Sequence, residues 1–87
     1  MEPYTPVHEK ISVEAKFSVG GKLEVTSFVW KDKEYTVTEV TFVSKAYRGR
    51  DTVWLVHVAT HSAAFKLRLD TDTLNWWLEE FTWEEKE

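Results

Sequence analysis

The sequence predicts an all-β protein: a single small antiparallel sheet of about five to six strands, curled into a half-open or closed barrel. Apolar and polar residues alternate along much of the chain, most clearly from Ile11 to Val19. A period of two places successive side chains on opposite faces of a strand. The chain has 87 residues, among them five Trp, five Phe and three Tyr, and these rings supply the dense core that so small a domain needs.

The domain is expected to cover residues 10–83, between a flexible lead-in at residues 1–9 and an acidic tail at residues 84–87. The lead-in holds both prolines and shows no periodicity, which is typical of an unpaired terminus. The first strand runs from Ile11 to Val19. It ends at Gly20-Gly21, where two glycines permit the positive φ angles of a tight hairpin.

The second strand spans residues 22–30 and changes phase part-way, because Val25 and Phe28 belong to opposite alternations. A change of phase inside one strand predicts a bulge, an extra residue that bends the strand and re-aims its side chains. We place this bulge near residues 26–27.

A third strand is predicted over residues 35–42, with a similar phase change and with Val40 and Phe42 on one face. Paired bulges increase the curvature of a sheet and favour barrel closure, which removes exposed strand edges.

The segment from Val53 to Ala59 is apolar at nearly every position. A strand that is apolar on both faces is covered twice or contacts a partner chain, so we predict that it is central in the sheet. The next strand, Phe65 to Asp70, alternates cleanly and carries Lys66 and Arg68 on its outer face.

The last segment permits two interpretations, because Trp77, Leu78 and Phe81 suit helical spacing while Trp76 and Leu78 suit strand spacing. A strand is favoured, since adjacent bulky rings fit a strand covered on both sides and no capping box precedes the segment. The alternative is an α+β fold with a C-terminal helix over residues 73–83.

The apolar and aromatic positions also resemble those of a small bacterial domain family of unknown function, which is associated with translesion-polymerase-like proteins of DNA damage tolerance. The positions that carry the resemblance lie between Leu23 and Trp83 and include Phe28-x-Trp30, Tyr35-x-Val37-x-x-Val40, Trp54-x-Val56, Phe65-x-Leu67 and Trp76-x-Leu78. They describe a shared core and leave any site unspecified. By association, the resemblance implies a link to DNA transactions, with the protein as an accessory to a DNA-repair assembly.

Composition narrows the function classes. The chain has no Cys, which excludes disulfides, Cys-ligated zinc and thiol catalysis. The first residues lack a basic start and an apolar run, so a cytoplasmic location is expected. A formal net charge of −4 repels a phosphate backbone unless cations gather on one face.

No residue pattern predicts catalysis or a cofactor. His57 and His61 are four residues apart, but they straddle a predicted strand and turn, so the helical ligand geometry does not apply and no metal is expected. The carboxylates Glu79-Glu80 would point to opposite faces of a strand. Ser62 lacks the flanking glycines of a nucleophile elbow. We therefore predict that the protein is not an enzyme.

The aromatic residues exceed what one face of a small sheet needs, and surplus aromatic surface is typical of protein interfaces. We predict a non-catalytic interaction module that binds a protein partner or a second copy of itself. Single-stranded nucleic-acid binding, by stacking on aromatics and by basic turns, is the alternative. The candidate contact residues are Trp30, Tyr47, Trp54, Trp76 and Trp83, and the candidate cations are Lys45, Arg48, Arg50, Lys66 and Arg68.

Overall fold

A computed structural model describes residues 4–83, which form one antiparallel sheet curled into a half-barrel. The all-β prediction is confirmed, with seven strands in the described residues rather than five to six. In chain order they are β1 (Thr5–Phe17), β2 (Leu23–Trp30), β3 (Lys33–Thr36), β4 (Glu39–Arg48), β5 (Asp51–Ala59), β6 (Ala63–Asp70) and β7 (Asn75–Trp83). Their order across the sheet is β3-β2-β1-β7-β6-β5-β4.

The first strand begins earlier than the sequence suggested. β1 starts at Thr5, within the expected lead-in, and its first residues pair with β7. The register shifts between Pro6 and Glu9, and His8 has a φ of 57°, so a bulge interrupts the pairing where the alternation was weakest. The predicted acidic tail, residues 84–87, lies outside the described residues.

The glycines of the first hairpin and the bulge of β2 follow the prediction, but β1 ends at Phe17 and Val19 lies exposed in the turn rather than in the strand. Gly20 and Gly21 have φ angles of 94° and 83°, values that suit glycine in a tight turn. Glu14 pairs with Ser27 whereas Ala15 pairs with Val25, so one extra residue of β2 lies between the two pairs at position 26. That residue is the bulge predicted near residues 26–27.

The predicted third strand is instead two strands, β3 and β4, with different partners. β3 pairs with β2 and β4 pairs with β5. The expectation that Val40 and Phe42 share a face is wrong, because a register shift separates them. Phe42 therefore lies exposed on the outer face opposite His57, and Val43 turns inward.

Two further expectations concern the strand order. The sequence placed the segment Val53 to Ala59 at the centre, but β5 is second from the edge. Its outer residue Leu55 pairs with Arg68, so large neighbouring side chains cover it and no second layer of structure is needed. The central strand is β7, which confirms the strand interpretation of the last segment and shows that the helix over residues 73–83 is wrong.

The two ends of the half-barrel differ. We call the end that holds the turns at residues 18–22, 49–50 and 71–74 the open end, and the end that holds the turns at 31–32 and 60–62 the closed end. Rings pack tightly towards the closed end, with Phe65 in contact distance of four others. That cluster consists of Phe28, Trp30, Tyr35, Phe65 and Phe81.

Candidate binding cleft

The cleft arises where the chain changes hydrogen-bonding partner between β3 and β4. The Val37 N–H donates to the Thr26 carbonyl at 2.9 Å, and the next N–H, of Thr38, donates to the Ala59 carbonyl at 2.8 Å. Of these two consecutive residues, the first is therefore hydrogen-bonded to β2 and the second to β5. From this point towards the open end β4 pairs with β5, and no strand in residues 4–83 neighbours β2 on its second edge.

The resulting space between β2 and β4 is a cleft of about 560 Å³, within the ~300–1,000 Å³ range of ligand pockets. Its apolar lining consists of the inner-face residues Leu23, Val25, Val40, Val43 and Trp54, together with Phe42. It is lined by residues 21–26 of the first turn and β2, residues 40–43 of β4, and Trp54 of β5.

At the open end of the cleft, the Trp54 indole lies next to the Phe17 ring and the Lys45 ammonium. The Phe17 ring meets the Trp54 indole edge-on with centroids 5.6 Å apart. The Lys45 ammonium lies 4.9 Å from the centroid of the same indole, a cation–π distance. Of the predicted contact residues, Trp54 and Lys45 are thus neighbours.

Apolar side chains are exposed around this end of the molecule. Phe17 is 55% exposed, Tyr47 78% and Leu74 72%. Leu74 also has a φ of 60°, a left-handed conformation that a bulky side chain adopts at an energetic cost. The open end therefore presents large apolar residues that contribute little to the core.

The lining of the cleft holds one cation, Lys22, and one carboxylate, Glu24. Lys16 lies 3.8 Å from Glu24, so that one carboxylate of the lining has a partner. Among residues 4–83, no carboxylate lies within ion-pair distance of Lys22 or Lys45. Lys22, in the lining, and Lys45, beside the lining residue Trp54, therefore have no ion-pair partner within the described part of a chain of net charge −4.

Lys66 and Arg68 lie on the opposite, outer face of the sheet, away from Lys45. Arg68 pairs with Leu55, and Lys45 pairs with Trp54, the residue before it on β5; adjacent strand residues face opposite sides. Arg68 is 2.8 Å from both Asp70 and Glu79, and Lys66 is 3.4 Å from Glu80. Their charges are compensated locally.

His57 lies beside this ion-pair network. Burial and the nearby Lys66 ammonium lower its pKa from the ordinary value of 6.5, against the opposing effect of Glu80. The Phe42 ring stands 5.4 Å from the imidazole. His57 is therefore a packed outer-face residue, and among the described residues no group of three or more His, Cys, Asp or Glu could hold a metal ion.

The remaining predicted residues are spread over the molecule. Trp30 is 7% exposed and donates from Nε1 to Glu9 Oε1 at 3.0 Å, so it belongs to the core. Trp76 is half-buried against the core, whereas Trp83 is half-exposed at the end of β7. Arg50 is exposed in a turn of the open end, and Arg48 precedes it in a position where only the backbone is described.

Sequence reasoning missed Phe17 and Leu74. Phe17 pairs with buried Leu23 and faces inward, but β1 ends there and no described residue covers the ring fully. For Leu74 a signal existed: an apolar residue closes the otherwise polar turn Thr71-Asp72-Thr73. Polar residues and glycine dominate such positions.

Comparisons of the chain with protein-family models, with curated proteins and with solved structures found no match. The described residues contain no helix long and apolar enough to cross a membrane.

Proposed function

We propose that this protein is a non-catalytic interaction module that binds a protein partner, or a second copy of itself, through its open end. The observation that carries the proposal is the combination of an open cleft with exposed Phe17, Tyr47 and Leu74 at the same end of the half-barrel. Exposed aromatic and aliphatic residues of this kind form the energetic centre of protein interfaces.

The strain at Leu74 adds independent support. A glycine at φ 60° would relieve the backbone, and the leucine side chain buries little of itself in return. Residues kept in costly conformations concentrate at functional sites. A contact made by Leu74 with a partner accounts for its presence there.

The lining of the cleft favours binding over chemistry. Leu23, Val25, Val40 and Val43 contribute aliphatic surface. The one carboxylate of the lining, Glu24, has Lys16 as its neighbour. Such a surface suits apolar side chains of a partner.

Nucleic-acid binding has less support as the alternative. Its cations were expected to share one surface, but Lys66 and Arg68 lie on the outer face with carboxylate partners, away from Lys45. The link to a DNA-repair assembly implied by the family resemblance stays a prediction, and a protein of such an assembly would be one possible partner.

Two measurements test the proposal. Sedimentation velocity at micromolar concentration reports self-association. A random-peptide display selection on the wild-type protein, counter-selected on the double variant Phe17→Ser/Tyr47→Ser, reports partner binding at the open end. Val29→Ser, which alters an exposed apolar residue of β2 outside the open end, is the control.

We expect a dimer that the double variant abolishes, or peptides that bind the wild type and Val29→Ser but not the double variant. A strict monomer that enriches no such peptides contradicts the proposal.

A further inference from the structure

On the edge of β4 that faces the cleft, backbone groups have no hydrogen-bond partner among residues 4–83. Gly49 and Arg50 form a two-residue turn, and Arg48 pairs with Asp51 across it. In a hairpin of this type the closing pair exchanges both hydrogen bonds, and hydrogen-bonded pairs then alternate along the strands. The backbone N–H and C=O groups of Val43, Lys45 and Tyr47 therefore point away from β5.

The opposite wall of the cleft has the same property. Residues 23–25 of β2 pair with β1. On the other edge, β3 pairs only with residues 27–30 of β2, and Val37, just after β3, donates one further hydrogen bond to the Thr26 carbonyl. Within the described part of the chain, the cleft therefore has an unpaired strand edge on each side. Free edges of this kind accept an additional strand.

We propose that the cleft binds an extended, acidic and apolar segment of a partner protein, which adds to the free edge of β4 as a further antiparallel strand. This inference rests on the proposed function and specifies the kind of partner. Main-chain hydrogen bonds to Val43, Lys45 and Tyr47 would hold the segment, and alternate side chains would enter the cleft.

The chemistry of the cleft selects the side chains of this segment. Val25, Val40 and Val43 line the cleft where β2 and β4 begin to diverge, so apolar side chains fit there. Lys22 and Lys45 lie towards the open end and have no carboxylate partner among residues 4–83. Acidic side chains of the segment would complement them.

The unpaired edge of β4 favours a peptide over a nucleic acid as the ligand. A free strand edge offers alternating donors and acceptors, and a peptide backbone supplies both kinds of partner. A phosphate backbone supplies acceptors only, so it would leave the carbonyl groups of Val43, Lys45 and Tyr47 unpaired.

The probe is a fluorescein-labelled octapeptide, Glu-Asp-Glu-Val-Thr-Val-Thr-Val, titrated against the full chain by fluorescence anisotropy. Two control peptides replace its acidic residues by Lys or carry N-methyl groups on its valine amides. The protein variants are Lys45→Glu and, as the matched control, Lys10→Glu on the exposed outer side of β1. Urea midpoints verify that both variants fold.

We expect the octapeptide to bind the wild type, and the Lys and N-methyl peptides to bind at least roughly tenfold more weakly. Lys45→Glu should weaken binding of the acidic peptide by roughly tenfold, because attraction becomes repulsion, and Lys10→Glu should leave it unchanged. Hydrogen exchange should slow at the amides of Val43, Lys45 and Tyr47 when the octapeptide binds.

Several results would overturn this inference without deciding the proposed function, which is tested separately by sedimentation and peptide display. These are no binding at millimolar octapeptide, binding that tolerates N-methylation, and binding without protection of the β4 amides. Protection that rises with protein concentration alone assigns the cleft to a second copy. Oligonucleotide binding that falls steeply with salt and leaves those amides unprotected assigns it to nucleic acid.

Discussion

The closed end and the open end of this half-barrel both contain aromatic residues, but they differ in how far these rings are buried. At the closed end, Phe65 is 1% exposed and its ring packs against four others. At the open end, Phe17 contacts the Trp54 ring and is 55% exposed. The ring cluster of the closed end therefore serves packing, whereas Phe17 offers surface because β3 and β4 part and leave the open end of β2 uncovered by described strands. Trp83, 49% exposed at the end of β7, lies outside the cluster.

The largest expected effect compares one phenylalanine from each end. Phe65→Ala should lower the free energy of unfolding by about 3–5 kcal/mol, because it opens a cavity in the ring cluster. Phe17→Ala should cost less than about 1 kcal/mol, because most of its ring is already in water. Urea denaturation measures both. Equal losses would remove the distinction between the ends.

The next effect concerns the outer face, where Arg68 compensates Asp70 and Glu79. Arg68→Met should cost about 2–3 kcal/mol at neutral pH, because it removes the cation of Asp70 and leaves Glu79, a poorly solvated neighbour, with only the His8 imidazole 2.8 Å away. The more exposed Lys66→Met should cost less than about 1 kcal/mol. Urea midpoints that rank the two variants in the reverse order would contradict this account of the network.

A smaller effect of opposite sign is expected at the open end. Leu74→Gly should raise the free energy of unfolding by about 0.5–1 kcal/mol, because glycine adopts a φ of 60° without strain. Gly49→Ala, at the same φ in the neighbouring turn, should destabilise by a similar amount. Loss of stability in Leu74→Gly would mean that the leucine packs within the monomer and is not reserved for a partner.

The smallest effect is a pH dependence from His57. Its pKa is lowered in the folded state, so between pH 6.5 and that lowered pKa the unfolded chain binds more protons than the folded chain. The contribution of His57 to the free energy of unfolding is fully present above about pH 6.5, and it is lost as the pH falls through the folded-state pKa. Between pH 7.5 and 5.5 the wild type should therefore lose more stability than His57→Gln. An equal loss would show that His57 makes no such contribution, and a smaller loss would mean that folding raises its pKa.

The sequence predicts those features that local pattern controls. Alternation revealed the strands, the phase change before Phe28 located the bulge at position 26, and adjacent Trp76 and Trp77 identified the last segment as a strand. Each of these depends on which face a side chain takes, and neighbours in the chain decide that.

Partner choice between strands was not predictable in the same way. Nothing in the residues 35–42 distinguishes pairing with β2 from pairing with β5, because that choice depends on the curvature of the whole sheet. The central position expected for Val53 to Ala59 failed for a related reason, since long side chains such as Arg68 cover a strand face as well as another layer does. The cleft follows from both features, so the sequence predicted only Trp54 of its lining, together with Lys45 and Tyr47 on the adjacent part of β4.

Hydrogen exchange of the dilute, ligand-free protein, read amide by amide along β4, tests the central claim most directly. If the half-barrel leaves this edge free, Val43, Lys45 and Tyr47 exchange rapidly while Phe42, Ser44 and Ala46 are protected by β5. Uniform protection of all six amides in a monomer would show that the edge is already paired, and the cleft could then receive no partner strand.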